Sequence, residues 1–195
     1  GVNVTFDAER LGLNQIWWGG FVDASPVWTG QGSGAARVLG KQRVELPNGP
    51  AFVVLPDAEV PWPTETRREL GQRWLGYDLD AQQRPSFRYV VADIEVTDTP
   101  SELPVADAAA RPTLRRTLRF TSQVDRTLTF RAVMAASIAD QGDGAVDVGP
   151  LRLRVPQGSW RIRQAGEQHE LLVTIPIQHG HAELVLDYSW REGGK

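Results

Sequence analysis

The sequence predicts an all-β protein, a large antiparallel sandwich of two sheets with little helix, and three observations carry that prediction. Apolar and polar residues alternate with period two through most of the second half of the chain, the spacing of a strand with one buried and one wet face. Turn-forming Gly, Pro, Asn and Asp interrupt the apolar segments at short intervals. Only residues 64–73 read as a helical turn or two, with Thr64 as cap, Pro61 and Pro63 fixing the approach and Gly71 ending it.

Taken in order, residues 2–6, 13–18, 43–46, 51–55, 74–79 and 87–96 are the strand candidates of the first half. Residues 30–34, Pro47-Asn48-Gly49-Pro50 and Gln141-Gly142-Asp143-Gly144 are the turns. Residues 98–112, with prolines and Ala108-Ala109-Ala110, are expected to form a long connection between the halves. Beyond it, Leu114, Leu118 and Phe120 oppose Arg115, Thr117 and Arg119, and Leu128, Phe130 and Ala132 oppose Thr127, Thr129 and Arg131. Leu151, Leu153 and Val155 alternate with Arg152 and Arg154, and Trp160 and Ile162 with Arg161 and Arg163. Leu171, Val173, Ile175 and Ile177 make one further apolar face; Ala182, Leu184, Leu186 and Tyr188 make another. The core should therefore contain Leu118, Phe130, Leu153, Ile162, Val173 and Leu184. About ten strands at this spacing suit one sandwich domain over residues 1–195.

Composition narrows the function. The chain has 195 residues, 41% hydrophobic and 23% charged, an ordinary globular balance. A net charge of -3 gives no electrostatic reason to expect nucleic acid as a partner. Cysteine is absent, which removes disulfides, thiolate metal sites and the C-x-x-C-H attachment of haem from this chain, and no cofactor is expected. No apolar run approaches the roughly 20 residues of a membrane-spanning helix. The chain opens at Gly1 without a leader-like segment, so it is expected to be a processed product or part of a longer protein.

The densest aromatic segment is Trp17-Trp18-Gly19-Gly20-Phe21, followed by Asp23, Pro26 and Trp28. Neighbours on a strand face opposite sides, so Trp17 and Trp18 cannot both enter one core. One indole must face outward, lie under a loop or fill an interface, where it would suit a sugar ring or a protein partner. The alternative is that loops bury both rings. Trp62, stiffened between Pro61 and Pro63, is either a displayed indole or a plug. Trp17, Trp18, Trp28, Trp62 and Asp23 are thus the candidate ligand-binding residues. His179-Gly180-His181 reads as a solvated hairpin turn rather than half a metal site. Asp93, Glu95 and Asp98, and Asp140, Asp143 and Asp147, read as solvated turns, and the second group lacks the closing Glu of a calcium loop. No G-x-S-x-G, P-loop or complete dinucleotide fingerprint is present, so no catalytic residue is assigned.

One longer phrase carries a resemblance. Val4-Thr5-Phe6-Asp7-Ala8-Glu9-Arg10-Leu11, then Ile16 to Asp23 with Trp28, resembles a β segment of large secreted proteins of planctomycetes and related bacteria. Gly76-Tyr77-Asp78-Leu79-Asp80, Pro85-Ser86-Phe87-Arg88-Tyr89 and Leu114-Arg115-Arg116-Thr117-Leu118 are similar to the same region. The resemblance implies a periplasmic or secreted location and neighbouring c-type cytochrome and sugar-dehydrogenase-like domains. It implies no catalytic residues. On this basis the expected function is a non-catalytic module that binds carbohydrate or a partner domain. A carbohydrate-active enzyme using acidic residues in a cleft, and a structural subunit of a larger assembly, stay open as alternatives.

Overall fold

The computed structural model describes all residues except 30, 31, 33, 58, 106, 108, 109, 156–158 and 192–195. Much of the 30–34 turn and of the alanine run at 108–110 therefore lies outside the described residues. The chain is all-β. Its strands are β1 (Val2–Asp7), β2 (Gly12–Asp23), β3 (Arg37–Glu45), β4 (Phe52–Val53), β5 (Arg73–Leu79), β6 (Pro85–Val91), β7 (Ile94–Leu103) and β8 (Thr113–Thr121). They continue as β9 (Arg126–Ala135), β10 (Ala139–Gly142), β11 (Ala145–Val148), β12 (Leu151–Arg154), β13 (Ser159–Ala165), β14 (Gln168–Ile177) and β15 (His181–Trp190). The described residues contain a single short helix, α1 (Ser25–Thr29), not the one expected at 64–73. That segment makes one hydrogen-bonded turn, capped by Thr66 with Glu69 rather than by Thr64.

The expected two sheets are three, all antiparallel. One has three strands in the order β1-β2-β3, one has eight in the order β10-β11-β12-β15-β8-β7-β6-β5, and one has four in the order β13-β14-β9-β4. The three-stranded sheet stands apart because β2 pairs only with β1 and β3, with register shifts in both ladders, and neither outer strand pairs with another sheet. One apolar cluster draws on all three sheets: Leu13 and Ile16 from the first, Leu118, Phe120, Leu153 and Tyr188 from the second, Phe130, Val173 and Ile175 from the third. Aromatic contacts tie them together, with Phe6 stacked 4.1 Å from Phe87, and Phe52 4.7 Å from Phe130 and 5.7 Å edge-on to Phe120.

Of the expected core residues, Leu118, Phe130, Leu153, Val173 and Leu184 are buried, while Ile162 is half-buried on edge strand β13. The expected 87–96 strand is a hairpin, β6 and β7, turned by Ala92 and Asp93 at φ 49° and 66°. That twist matches the strands it joins. Strand β7 then runs on to Leu103, so the connection before β8 begins at 104 rather than 98. Pro100 fits within β7 because the β6 ladder ends at the Phe87–Asp98 pair, leaving no partner for a missing N–H. Asp98 is correspondingly not in a turn. It is fully buried on the core face and takes a two-pronged ion pair from Arg116, equally buried between Leu114 and Leu118.

Two further departures concern strand faces. The side of β9 expected to be wet is covered: Thr129 and Arg131 are buried. In β14 adjacent Leu171 and Leu172 are both buried, Leu171 in the main core and Leu172 on the other side against Val53 and Trp62. The cover is the segment between β3 and β5, whose Trp62 packs with Val53 and Leu172.

Candidate functional site

The aromatic phrase builds the end of the three-stranded sheet. Trp18 shares the core side of β2 with Ile16 and is half-buried, its Nε1 donating to Gln42 Oε1 at 3.4 Å. Trp17, on the opposite side, is the more buried of the two, with no exposed surface. Its indole lies over Gly40 of β3, where a Cβ would overlap the ring and come within 2.6 Å of the Trp18 carbonyl. Its Nε1–H donates to the Gly20 carbonyl at 2.9 Å. Thus the outward indole is hidden by its own sheet.

Phe21 stacks nearly parallel on Trp17, 6.3 Å between centroids, and presents its other face to solvent, 63% exposed. The chain then enters α1. The Asp23 carboxylate accepts from the Ser25 amide at 2.9 Å and from its hydroxyl, and these bonds hold it below the usual carboxylate range. This cap starts the turn that displays Trp28, 83% exposed, with Val27 beside it. Leu39, 60% exposed, lies beside Gly20 on β3. Trp17, Trp18, Asp23 and Trp28 therefore act at one end of one sheet: two as foundation, one as cap, one as displayed surface.

Trp62 is elsewhere. It is buried, with its Nε1 donating to the Pro50 carbonyl at 2.9 Å. The Arg131 guanidinium lies 4.8 Å from its ring centre, while Val53 and Leu172 pack against it. It serves as a plug and shows no broad face to a ligand. Around it, Arg163 donates to Glu170 Oε1 (2.7 Å from Nε) and to the Val60 carbonyl at 2.7 Å. Arg131 donates to the Asn48 carbonyl and has Nη1 3.7 Å from Glu170 Oε2. Burial lowers the Arg131 pKa from the ordinary arginine value, more than the Glu170 charge restores. These side chains fasten the covering segment to the sheet between two open clefts of about 540 and 410 Å³.

The sequence reading missed Arg131, Arg163 and Glu170. The signal was present in the β13–β14 hairpin: folding it about Gly166 and Glu167 sets Arg163 directly opposite Glu170. His179 and Gly180 form the β14–β15 turn, both with positive φ, and His179 and His181 are exposed. Among the described residues no group of three or more His, Asp or Glu side chains is placed to hold a metal, and no helix is long and apolar enough to cross a membrane. Compared with known proteins, the chain matches no family model, no curated protein and no solved structure.

Proposed function

We propose that the chain is a non-catalytic interaction module that docks on a partner domain through the end of its three-stranded sheet. The observation that carries this is the exposure of Trp28 together with Phe21 and Leu39 at one end of a scaffold built to hold them. Single exposed apolar residues need no explanation. Here Leu39 lies beside the Gly20–Phe21 stretch, and Trp28 is on the connection between the same two strands. Trp is among the residue types most enriched in interface hot spots. A sugar site would need convergent polar groups, and the displayed side chains here are apolar. The extracytoplasmic setting and a c-type cytochrome domain as the partner belong to the same proposal, on the resemblance of the Trp17–Trp28 phrase. So does a sandwich reading of the fold, with the eight-stranded sheet as one layer and the other two sheets sharing the second. The Phe6–Phe87 and Phe52–Phe120 contacts support it.

The test compares Trp28→Ala with Trp17→Ala in the full-length protein and as the isolated chain mixed with the neighbouring cytochrome domain. Trp28→Ala should leave stability within about 0.5 kcal/mol, yet cost about 2 kcal/mol or more of binding, some thirtyfold in Kd. Trp17→Ala should destabilise the fold by about 3–5 kcal/mol. Equal affinity of wild type and Trp28→Ala for the partner domain would reject the proposal.

A further inference from the structure

The cleft of about 410 Å³ beside Trp62 ends on two buried groups that the protein leaves incompletely bonded. Glu170 is fully buried, and its Oε1 is taken by Arg163. Its Oε2 accepts no hydrogen bond; Arg131 Nη1, at 3.7 Å, is beyond bonding distance. Arg131 is 8% exposed, and although its Nη2 donates to Asn48, its Nε–H donates to nothing. Both side chains line this cleft, with Gln164 and Glu59 as further polar groups in its wall. The large majority of buried polar atoms are hydrogen-bonded, and here two unbonded ones lie in side chains that adjoin and line the same cleft.

Their chemistry selects the ligand. An anion approaching Arg131 Nε–H meets the Glu170 carboxylate, and a cation approaching Glu170 meets two guanidinium groups. Neutral hydroxyls suit both, one accepting from Nε–H and one donating to Oε2, once the ligand displaces the side chains that seal these two atoms from solvent. We infer that this cleft binds a neutral, hydroxyl-rich ligand, a sugar unit of an uncharged glycan, through Arg131 Nε and Glu170 Oε2. The neighbouring cleft of about 540 Å³ shares Arg131 and Trp62 and adds Asn48, Thr64 and Gln168, so polar groups continue past the first sugar. Trp62 contributes shape rather than stacking, because Arg131 and the Val53–Leu172 pair pack against its ring. This site is independent of the docking surface at Trp28.

The test is a titration of the ¹⁵N-labelled chain with cellobiose, maltose and lactose, with glucuronate and acetate as anionic controls. The Arg131 Nε–H and Trp62 Nε1–H signals are followed. At least one neutral disaccharide should shift both saturably, and glucuronate should bind at least tenfold more weakly. Glu170→Gln should weaken binding tenfold or more. Because that change can loosen the covering segment, Gln164→Ala, which leaves the arginine bonds intact, should weaken binding severalfold on a fully folded protein. No saturable shift with any neutral sugar, together with a long-lived water contact at Arg131 Nε–H, would show that water alone completes the pair and overturn the inference. Preferential binding of glucuronate, or unchanged affinity in Gln164→Ala, would overturn it as well.

Discussion

Arg116 and Asp98 lie inside the main core, whereas Arg131, Glu170 and Arg163 lie on the far side of the four-stranded sheet beneath the segment that carries Trp62. Both clusters bury charge, and they do so in different ways. In the core, Arg116 gives both prongs to Asp98, lies 5.1 Å over the Phe130 ring, and has Tyr89 within 3.4 Å of the same carboxylate. Burial alone would push the Arg116 guanidinium down, but the Asp98 charge and hydrogen bonds outweigh it and hold the group above its ordinary value. Under the covering segment, one carboxylate serves two arginines, and a lone pair and an N–H are left unbonded just behind the wall of a cleft. A closed pair fixes register, since Asp98 and Arg116 meet only when β7 and β8 pair as they do. An unfinished one beside a cleft has capacity for a ligand.

The largest expected effect tests the closed cluster. Arg116→Met alone strands the Asp98 charge, and Asp98→Leu alone strands the Arg116 charge; each should cost about 3–5 kcal/mol. The double variant should recover most of that loss or exceed the wild type by about 1–4 kcal/mol, since two apolar side chains avoid the desolvation penalty. Urea unfolding of the three variants measures this. A double variant as unstable as the singles would mean that packing around the guanidinium, not its charge, dominates.

The second cluster should respond less and more locally. Glu170→Leu leaves two arginines, each about one-tenth exposed and able to recruit water, so about 1–3 kcal/mol is expected. Hydrogen exchange should show protection lost at Arg131 N–H, which donates to the Ala51 carbonyl, before it is lost in β8 or β15. Uniform loss across all three sheets would make the outer cluster as central to folding as the inner one.

This contrast also marks how far the sequence could be read. The period-two pattern was sufficient for most of β8, β12 and β15, whose outer faces meet only solvent and cross-strand charges such as Arg115–Asp187. It misplaced Thr129 and Arg131, because alternation reports two faces and not whether a distant segment returns to cover the second. Arg116, a charge at an apolar position between Leu114 and Leu118, went unread, and its partner was misread: Asp98 reads in sequence as part of a turn, whereas it continues the buried phase of Ile94 and Val96 in β7. Trp28 stands out in sequence by its neighbours. Its display follows from the turn that Asp23 caps, and the burial of Trp17 from β3 returning through Gly40, neither of which a local pattern encodes.

Alkaline pH separates the clusters by a different route, because the inner one includes tyrosines. Burial, then the nearby Asp98 charge, pushes the Tyr89 pKa well above its usual value, and burial raises that of Tyr188. Both stay neutral in the fold while the unfolded chain loses their protons near pH 10. The stability they contribute is therefore complete below about pH 10 and falls as pH rises beyond it, by about 1.4 kcal/mol per pH unit for each tyrosine. Midpoints of urea unfolding between pH 8 and 12 should show this decline, and Tyr89→Phe should make it shallower. An unchanged slope in Tyr89→Phe would mean that Tyr89 ionises in the fold.

The smallest expected effect asks what fastens the covering segment. Trp62→Phe keeps an aromatic face for Arg131 and apolar contact with Val53 and Leu172, but removes the Nε1–H donated to Pro50. Pro50 O would then need a new partner, at about 0.5–1.5 kcal/mol, or roughly 2–4 °C in Tm for each kcal/mol at this chain length. Differential scanning calorimetry of Trp62→Phe beside Glu170→Leu gives the comparison directly. If the charged cluster is the main fastening, Glu170→Leu lowers Tm further, and Trp62→Phe keeps the exchange protection of Arg131 N–H. A reversed order would make the indole the principal anchor, with the arginines held in place by the segment they touch.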